Sequence, residues 1–261
     1  MKIKKVIHKC DDVIFISKSK YMNKQHLRRR KLKNNVTSEK QKEINRRIAE
    51  RKLLMLLHKH FGGNGLHMIL SYKTEPKSKA EARKEIEKFL RRLRYRYAKN
   101  GYELKYIQVT EYKNKRLHHH LIINSIDKLS VSDIQRLVWK NGLIRYTPLE
   151  KDGYYNELAA YLIKETSKTF NTIERVFGKR YTSSKNLTLP EKKEEIKNGI
   201  EADIINIPLT YAFEGTQYAL IKGSEYIGLN DYTGIIYTEY AMREIKPIKA
   251  SGHAPQQKRN I

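Results

Sequence analysis

A predicted β-hairpin over residues 102–124 restricts the fold of this chain more than any other feature. "YELKYIQVTEY" alternates apolar and polar residues like a strand, Lys113-Asn114-Lys115 is a short polar turn, and "HHHLIIN" starts a second, apolar strand. Two strands joined by so short a turn must run antiparallel. The hairpin therefore favours an α+β fold over a doubly wound parallel sheet.

Helical and strand-like segments alternate on both sides of this hairpin. Helical spacing or helix-capping residues predict helices at about 38–60, 78–99, 132–140 and 154–170, and further strands at 66–72 and 142–149. These segments predict a central antiparallel sheet with helices packed on it. We divide the chain into a basic N-terminal segment (1–36), a main domain (37–190), a small β-rich C-terminal extension (191–250) and a disordered tail (251–261).

The composition indicates a polyanionic partner. Lys and Arg outnumber Asp and Glu by 54 to 28, the net charge is +26 and the pI is about 9.9. Nucleic acid is the commonest partner of so basic a chain, ahead of a membrane surface or an acidic substrate. A single cysteine excludes an internal disulfide framework, and no apolar run is long enough to span a membrane. We expect a cytoplasmic protein without a membrane partner.

The histidines of the hairpin are candidate metal ligands. Side chains alternate along a strand, so His118 and His120 share a face and His119 points to the other one. Folding back through the turn brings Glu111 near the pair, as a candidate third ligand. Imidazoles and a carboxylate with open positions suit Mg²⁺ or Mn²⁺ acting on a phosphate oxygen, although zinc would also bind. The alternative is a solvated or DNA-facing strand that holds no metal.

Tyr161 and Lys164 form a second candidate pair, three residues apart on the last predicted helix and therefore on one face. A tyrosine becomes a nucleophile when a nearby cation favours its phenolate. The alternative is that Tyr161 only packs in the core, as a tyrosine of an amphipathic helix usually does.

Three segments in this order resemble the motifs of the HUH endonucleases, named for their His-hydrophobe-His sequence: "MILSYKT", "EYKNKRLHHHLIIN" and "YLIK". More narrowly, "TSEKQKEINRRIAERKL", "ELAAYLIKE" and "RYTSSKNLTLP" resemble rolling-circle replication initiators (Rep proteins) of phages, plasmids and integrated elements of Gram-positive bacteria. The likeness covers roughly residues 35–190. It implies a ferredoxin-like or RRM-like palm as the fold of the nuclease domain.

The resemblance also implies a role for each candidate residue. His118, His120 and Glu111 would hold the metal, Tyr161 would be the nucleophile and Lys164 would assist it. Such enzymes cut one DNA strand, keep a 5′-phosphotyrosine bond, release a 3′-hydroxyl that primes synthesis, and later rejoin the strand. Conjugative relaxases and single-strand transposases share this chemistry, and a non-catalytic origin-binding protein is the alternative from another class.

Two departures from the family pattern concern His119 and the tyrosines. His119 stands where the family usually has a bulky hydrophobe, so its imidazole must be tolerated on the opposite face of the sheet. Some members use two catalytic tyrosines, and Tyr154 or Tyr155 would be the second one here.

The expected partners are single-stranded or hairpin origin DNA, a host helicase and a polymerase, since the sequence contains no Walker lysine loop. We expect a monomer or a weak dimer. Basic residues elsewhere are predicted to bind the DNA backbone, or otherwise only to solvate their helices. They are Arg28, Arg29, Arg30, Lys31, Arg46, Arg47, Arg91, Arg92, Arg94 and Arg96.

Overall fold

A computed structural model describes residues 1–22, 39–112, 116–170, 179–230 and 234–246. The described residues form two compact units. We call residues 39–191 the central unit, and residues 1–22 together with 192–246 the terminal unit. Each unit is built on its own antiparallel sheet, and helices pack on the sheet of the central unit, which confirms the predicted α+β class.

The central unit contains four helices and a five-stranded sheet of order β6-β3-β5-β4-β7, in which every pair is antiparallel. Its strands are β3 (Gly65–Ser71), β4 (Tyr106–Glu111), β5 (His118–Asn124), β6 (Ile144–Pro148) and β7 (Thr182–Ser183). Its helices are α1 (Glu39–Phe61), α2 (Lys79–Lys99), α3 (Val131–Leu137) and α4 (Asn156–Phe170). The predicted hairpin is β4 followed by β5.

The two faces of the central sheet are covered by different helices. The apolar stripe of α2, which includes Phe89 and Leu93, packs with Leu70 and Leu121 of the sheet and with Ile134 of α3 in one fully buried cluster. Helices α1 and α4 contact each other, and they also contact strands of the sheet. Because side chains alternate along each strand, residues that neighbour Leu70 and Leu121 in sequence point away from the α2 cluster.

Local sequence explains where the helices begin and end. Ser78 accepts a hydrogen bond from the backbone of Glu81 at the start of α2, and Gly101 adopts a positive φ of 82° after its last residue. Ser130 and Asp133 form a capping box at the start of α3. Ser38, the predicted cap of α1, lies outside the described residues.

The terminal unit joins both ends of the chain in a seven-stranded sheet. Its strands are β1 (Lys2–Cys10), β2 (Val13–Lys20), β8 (Lys192–Asn198), β9 (Thr210–Phe213), β10 (Thr216–Leu220), β11 (Tyr226–Asn230) and β12 (Ile235–Glu244), and its helix is α5 (Glu201–Ile205). β1 pairs with β8, and β2 pairs with β12.

These pairings differ from the division made on the sequence, which separated the N-terminal segment from the C-terminal extension. The apolar residues of β2, Val13 to Ile16, are fully buried in the shared sheet, so the hairpin of β1 and β2 obtains its core from strands that follow far along the chain. The predicted tail (251–261) lies outside the described residues. None of the helices in the described ranges combines the length and the apolar character that crossing a membrane requires.

Candidate metal centre

The hairpin of β4 and β5 brings three candidate ligands together. Glu111, the last residue of β4, lies directly opposite His118, the first residue of β5. His120 is two residues further along β5 and therefore points to the same face as His118. This is the face opposite the α2 cluster, since Leu121 and His119 point the other way.

The three side chains form a nearly equilateral triangle of donor atoms. His118 Nε2 lies 3.2 Å from Glu111 Oε2, and His120 Nε2 lies 3.3 Å from the same oxygen. The two Nε2 atoms are 3.2 Å apart. Glu111 and His120 are buried, and His118 is partly exposed. The cluster is thus reachable from solvent on one side.

The other nitrogen of each imidazole is engaged outside the triangle. His118 Nδ1 lies 2.8 Å from the backbone carbonyl oxygen of Arg116. A carbonyl only accepts, so His118 Nδ1 carries the proton and Nε2 presents a lone pair to the triangle. His120 Nδ1 lies 3.0 Å from His67 Nε2, and the two rings stack at 5.3 Å.

Burial keeps His120 in the neutral form that a metal ligand requires. Desolvation, and after it the neighbouring His67 and His118, lower the pKa of His120 to about 4, although Glu111 acts in the opposite direction. Burial also lowers the pKa of His67. No proton therefore has to leave His120 before a cation binds near neutral pH.

The triangle fits a divalent cation. With metal–ligand bonds of about 2.1 Å, adjacent ligand atoms stand about 3.0 Å apart in octahedral and about 3.4 Å apart in tetrahedral coordination. The observed edges of 3.2 to 3.3 Å lie between these values. Glu111, His118 and His120 could therefore hold one metal ion, with its remaining positions open to other ligands.

Helix α4 places Tyr161 at this triangle. Its hydroxyl donates a hydrogen bond of 3.0 Å to Glu111 Oε2, and its ring meets the His120 ring edge to face at a centroid distance of 5.4 Å. Tyr161 is 36% exposed, so the phenol reaches both the cluster and solvent. Lys164 is exposed one turn further along α4. It forms no hydrogen bond or ion pair with the described residues, so no contact joins it to the triangle.

The two other tyrosines considered as nucleophiles lie elsewhere. Helix α4 begins at Asn156, so Tyr154 and Tyr155 precede it. Both of their rings pack against the ring of His58 in α1, at centroid distances of 5.8 and 4.8 Å. The Tyr155 hydroxyl also donates to the backbone carbonyl of Glu150. These contacts indicate packing roles for both tyrosines.

His119 lies on the opposite face of β5 and is completely buried. Its Nδ1 is 2.9 Å from Thr110 Oγ1, and its Nε2 is 2.7 Å from the Tyr72 hydroxyl. Gln108 donates to Thr110 Oγ1 and accepts from the Thr182 hydroxyl, both at 2.7 Å. Burial lowers the pKa of His119 to about 3. Polar partners on both ring nitrogens explain how a histidine is tolerated where the family motif has a hydrophobe.

The predicted DNA-contacting residues are not gathered around the triangle. Arg91, Arg92, Arg94 and Arg96 lie on α2, which packs on the sheet face opposite the triangle. Arg46 forms ion pairs with Glu43 and Glu50 within α1, and Arg47 is half-buried in the same helix. Residues 28–31, the basic cluster Arg28 to Lys31, lie outside the described residues.

Sequence reasoning missed His67 and the polar partners of His119. In the predicted strand "LHMILSY", His67 is the single charged-type residue of an otherwise apolar run, and alternation places it on the face of Ile69 rather than of Met68. That signal was available. The pairing of His67 with His120 was not, because it depends on the register of β3 against β5, in which His67 stands opposite Ile122.

Residues 67–170 match the model of one protein family, described as a replication-associated protein of the ORF2 type. The matched segment runs from His67 to the end of α4, and it contains the whole triangle and Tyr161. It covers less than half of the chain. No curated protein and no solved structure matches. The match is consistent with a protein that initiates rolling-circle replication.

Proposed function

We propose that this protein is a metal-dependent nickase of the HUH type that cuts and rejoins one strand of DNA at a specific site to initiate rolling-circle replication. The observation that carries the proposal is the position of Tyr161, whose hydroxyl donates to Glu111 Oε2, the same oxygen that both imidazoles approach. A candidate nucleophile thus adjoins a candidate metal site. The family match supports the link to replication.

In this function Glu111, His118 and His120 hold the cation. When bound, a divalent cation would polarise the scissile phosphate and neutralise the charge that develops on its oxygens. The chain's own residues position the reacting groups. β4 and β5 fix the ligands in a rigid hairpin, and α4 holds the Tyr161 hydroxyl beside them, which lowers the entropic cost of the attack.

The reaction exchanges one phosphate ester bond for another. Tyr161 Oη loses its proton to solvent and forms a bond to phosphorus, and the bond from phosphorus to the 3′ oxygen breaks. That oxygen takes up a proton and leaves as a 3′-hydroxyl, while the 5′ phosphate stays on Tyr161. The phosphotyrosine keeps the energy of the broken ester, so rejoining needs no nucleotide cofactor. Lys164, one turn after Tyr161, would approach the phosphate when DNA is bound.

The proposed substrate is single-stranded or hairpin origin DNA of a phage, plasmid or integrated element of Gram-positive bacteria, and the proposed cation is Mg²⁺ or Mn²⁺. The proposed setting is the cytoplasm, where a monomer or weak dimer works with a host helicase and polymerase. The high net charge of +26 supports a nucleic-acid partner. A relaxase or a single-strand transposase would differ in the DNA that it recognises rather than in the chemistry.

The test is covalent capture of DNA. The protein is incubated with Mn²⁺ and labelled single strands that tile the replication origin of its genetic element, and adducts are separated on a denaturing gel. We expect an adduct with one strand, its loss in Tyr161→Phe, and an unchanged yield in Tyr154→Phe and Tyr155→Phe.

The exposed Tyr95 of α2 supplies a matched control, because Tyr95→Phe removes a hydroxyl far from the proposed chemistry. An adduct that persists in Tyr161→Phe would overturn the assignment of the nucleophile. If no origin strand gives an adduct although the chain binds that DNA, the protein is a non-catalytic origin binder.

A further inference from the structure

We propose that His67 is a positioning residue that selects the metal-binding tautomer of His120. The inference rests on the proposed function, since it concerns the proposed metal centre. His67 is not one of the three candidate ligands, because its Nε2 approaches the Nδ1 side of His120, whereas the triangle lies on the Nε2 side.

The hydrogen bond between the two histidines has two possible directions. If His120 Nδ1 donates to His67 Nε2, His120 Nε2 is left with a lone pair that can bind a cation. If His67 Nε2 donates instead, the proton of neutral His120 sits on Nε2, inside the triangle. Only the first arrangement is compatible with a metal ion at Glu111, His118 and His120.

The two ligating histidines obtain this tautomer by different means. For His118 the acceptor is the backbone carbonyl of Arg116, at 2.8 Å, which cannot donate and therefore fixes the tautomer by itself. For His120 the corresponding partner is a side chain, His67 Nε2 at 3.0 Å. A mutation can therefore remove the acceptor of His120, whereas that of His118 belongs to the main chain.

The strand register keeps His67 in this position. β3 and β5 are paired over their whole lengths, and His67 and His120 project from these neighbouring strands to the same face of the sheet. Their rings stack with an interplanar angle of 19°, and the Nε2 to Nδ1 distance is that of a good hydrogen bond. Groups that orient a metal ligand in this way typically change metal affinity about 10- to 100-fold when they are removed.

Two substitutions separate orientation from packing. Gln at position 67 can place its carbonyl oxygen near the position of His Nε2, so His67→Gln keeps an acceptor but loses the stacked ring. His67→Phe keeps a stacked ring but has no acceptor. A positioning role predicts that Gln preserves the behaviour of His120 and that Phe does not, whereas a packing role predicts the reverse.

The first measurement is the tautomer of His120 in metal-free protein, read from the ¹⁵N chemical shifts of its two ring nitrogens. We expect the proton on Nδ1 in the wild type and in His67→Gln, and a shift towards Nε2 in His67→Phe. The second measurement is the dissociation constant for Mn²⁺ alone by titration calorimetry. It should rise about 10- to 100-fold in His67→Phe and less than about threefold in His67→Gln.

His60→Leu is the matched control, because His60 is a half-buried histidine of the same unit whose Nε2 contacts the backbone of Thr188 instead. It should leave the His120 tautomer and the Mn²⁺ affinity unchanged, and the thermal midpoint of each variant monitors folding. Wild-type behaviour of His120 in His67→Phe, for both tautomer and affinity, would overturn the inference. A wild type that shows the expected tautomer but binds no Mn²⁺ would instead contradict the proposed function and leave the role of His67 in selecting the tautomer intact.

Discussion

The two units are both antiparallel sheets, yet they bury different chemistry. Among the described residues, ten polar or charged residues are buried, and nine of them belong to the central unit, while Thr238 alone belongs to the terminal unit. The core of the terminal sheet consists of apolar and aromatic side chains such as Ile14, Phe213 and Met242. Buried polar groups are costly unless they are hydrogen-bonded, so their concentration in one unit marks where structure serves function.

The charge is distributed just as unevenly. The described residues of the terminal unit contain 12 Lys or Arg and 10 Asp or Glu, whereas those of the central unit contain 30 and 16. Many charges of the terminal unit also pair with each other, as in the ion pairs of Lys4 with Glu194 and of Lys193 with Glu214. The comparison locates the excess positive charge of the described residues, and with it the expected affinity for DNA, in the central unit.

The sharpest test of this contrast applies one substitution to both units. Glu111→Gln removes the charged ligand of the triangle, and we expect Mn²⁺ affinity to fall at least about 100-fold and adduct formation at least about 1000-fold. Glu195→Gln changes a glutamate of the terminal sheet that pairs with Lys5. It should leave both quantities within about twofold of wild type. Calorimetry with Mn²⁺ and the adduct gel provide the measurements, and equal effects of the two variants would abolish the distinction.

Acidification should weaken the central unit first. Burial lowers the pKa of His119 to about 3, and that of His120 to about 4. The unfolded chain takes up these protons near pH 6.5 and the folded one does not, so stability is full above pH 6.5 and falls as the pH drops towards 4. The slope reaches about 1.4 kcal/mol per pH unit for each such histidine.

Carboxylates of the terminal unit respond at lower pH. Hydrogen bonds from Lys192 and Lys4 lower the pKa of Glu194 to about 2, so its contribution is present above about pH 4.5 and is lost as the pH falls towards 2. Amide hydrogen exchange of metal-free protein can follow β5 and β2 separately. Between pH 6.5 and 5 we expect β5 to lose protection and β2 to keep it. Parallel losses in both strands would show that the buried histidines do not control acid stability.

Replacing threonine by valine should have opposite effects on stability in the two units. Thr110 Oγ1 accepts from Gln108 and contacts His119 Nδ1, so Thr110→Val leaves buried polar groups without partners and should cost about 1 to 3 kcal/mol. Thr238 is also fully buried, but its hydroxyl forms no hydrogen bond within the described part of the chain. Thr238→Val should therefore be neutral or stabilise by up to about 1 kcal/mol.

Chemical denaturation of metal-free protein measures both changes in the free energy of unfolding. A Thr110→Val variant as stable as wild type would mean that the polar chain behind the metal site contributes little. A clear loss of stability in Thr238→Val would mean that its hydroxyl is satisfied, and the contrast between the two cores would then be smaller than the structure indicates.

The sequence predicted the fold class and the local geometry of the hairpin, because both depend on nearby residues. Strand alternation separates His118 and His120 from His119, and a short turn returns Glu111 to their side, so three candidate ligands follow from one stretch of about ten residues. The spacing of Tyr161 identified it as a candidate, but only the packing of α4 on the sheet shows that its hydroxyl meets Glu111.

Features that depend on distant pairing escaped the sequence. The union of β1 and β2 with β8 and β12 joins segments about 200 residues apart, and no local pattern specifies such partners. The same reason applies to His67, whose role depends on the register of β3 against β5. The face of the sheet that α2 covers was likewise not predictable from its apolar stripe, so its arginines could not be assigned to the side of the metal site or the side away from it.

The smallest expected effect concerns those arginines and decides how far DNA extends around the central unit. Arg94 lines a groove of about 610 Å³ together with Tyr102 and Lys185, a combination of cations and an aromatic ring that suits single-stranded nucleic acid. If the strand reaches this face, Arg94→Ala should weaken binding about 2- to 5-fold and reduce the slope of log affinity against log salt by about 0.7. Lys222→Ala, an exposed cation of the terminal unit, should change neither quantity. Fluorescence anisotropy over a salt series measures both. An unchanged slope in Arg94→Ala would confine DNA to the face that carries Tyr161, and the arginines of α2 would then serve only to solvate their helix.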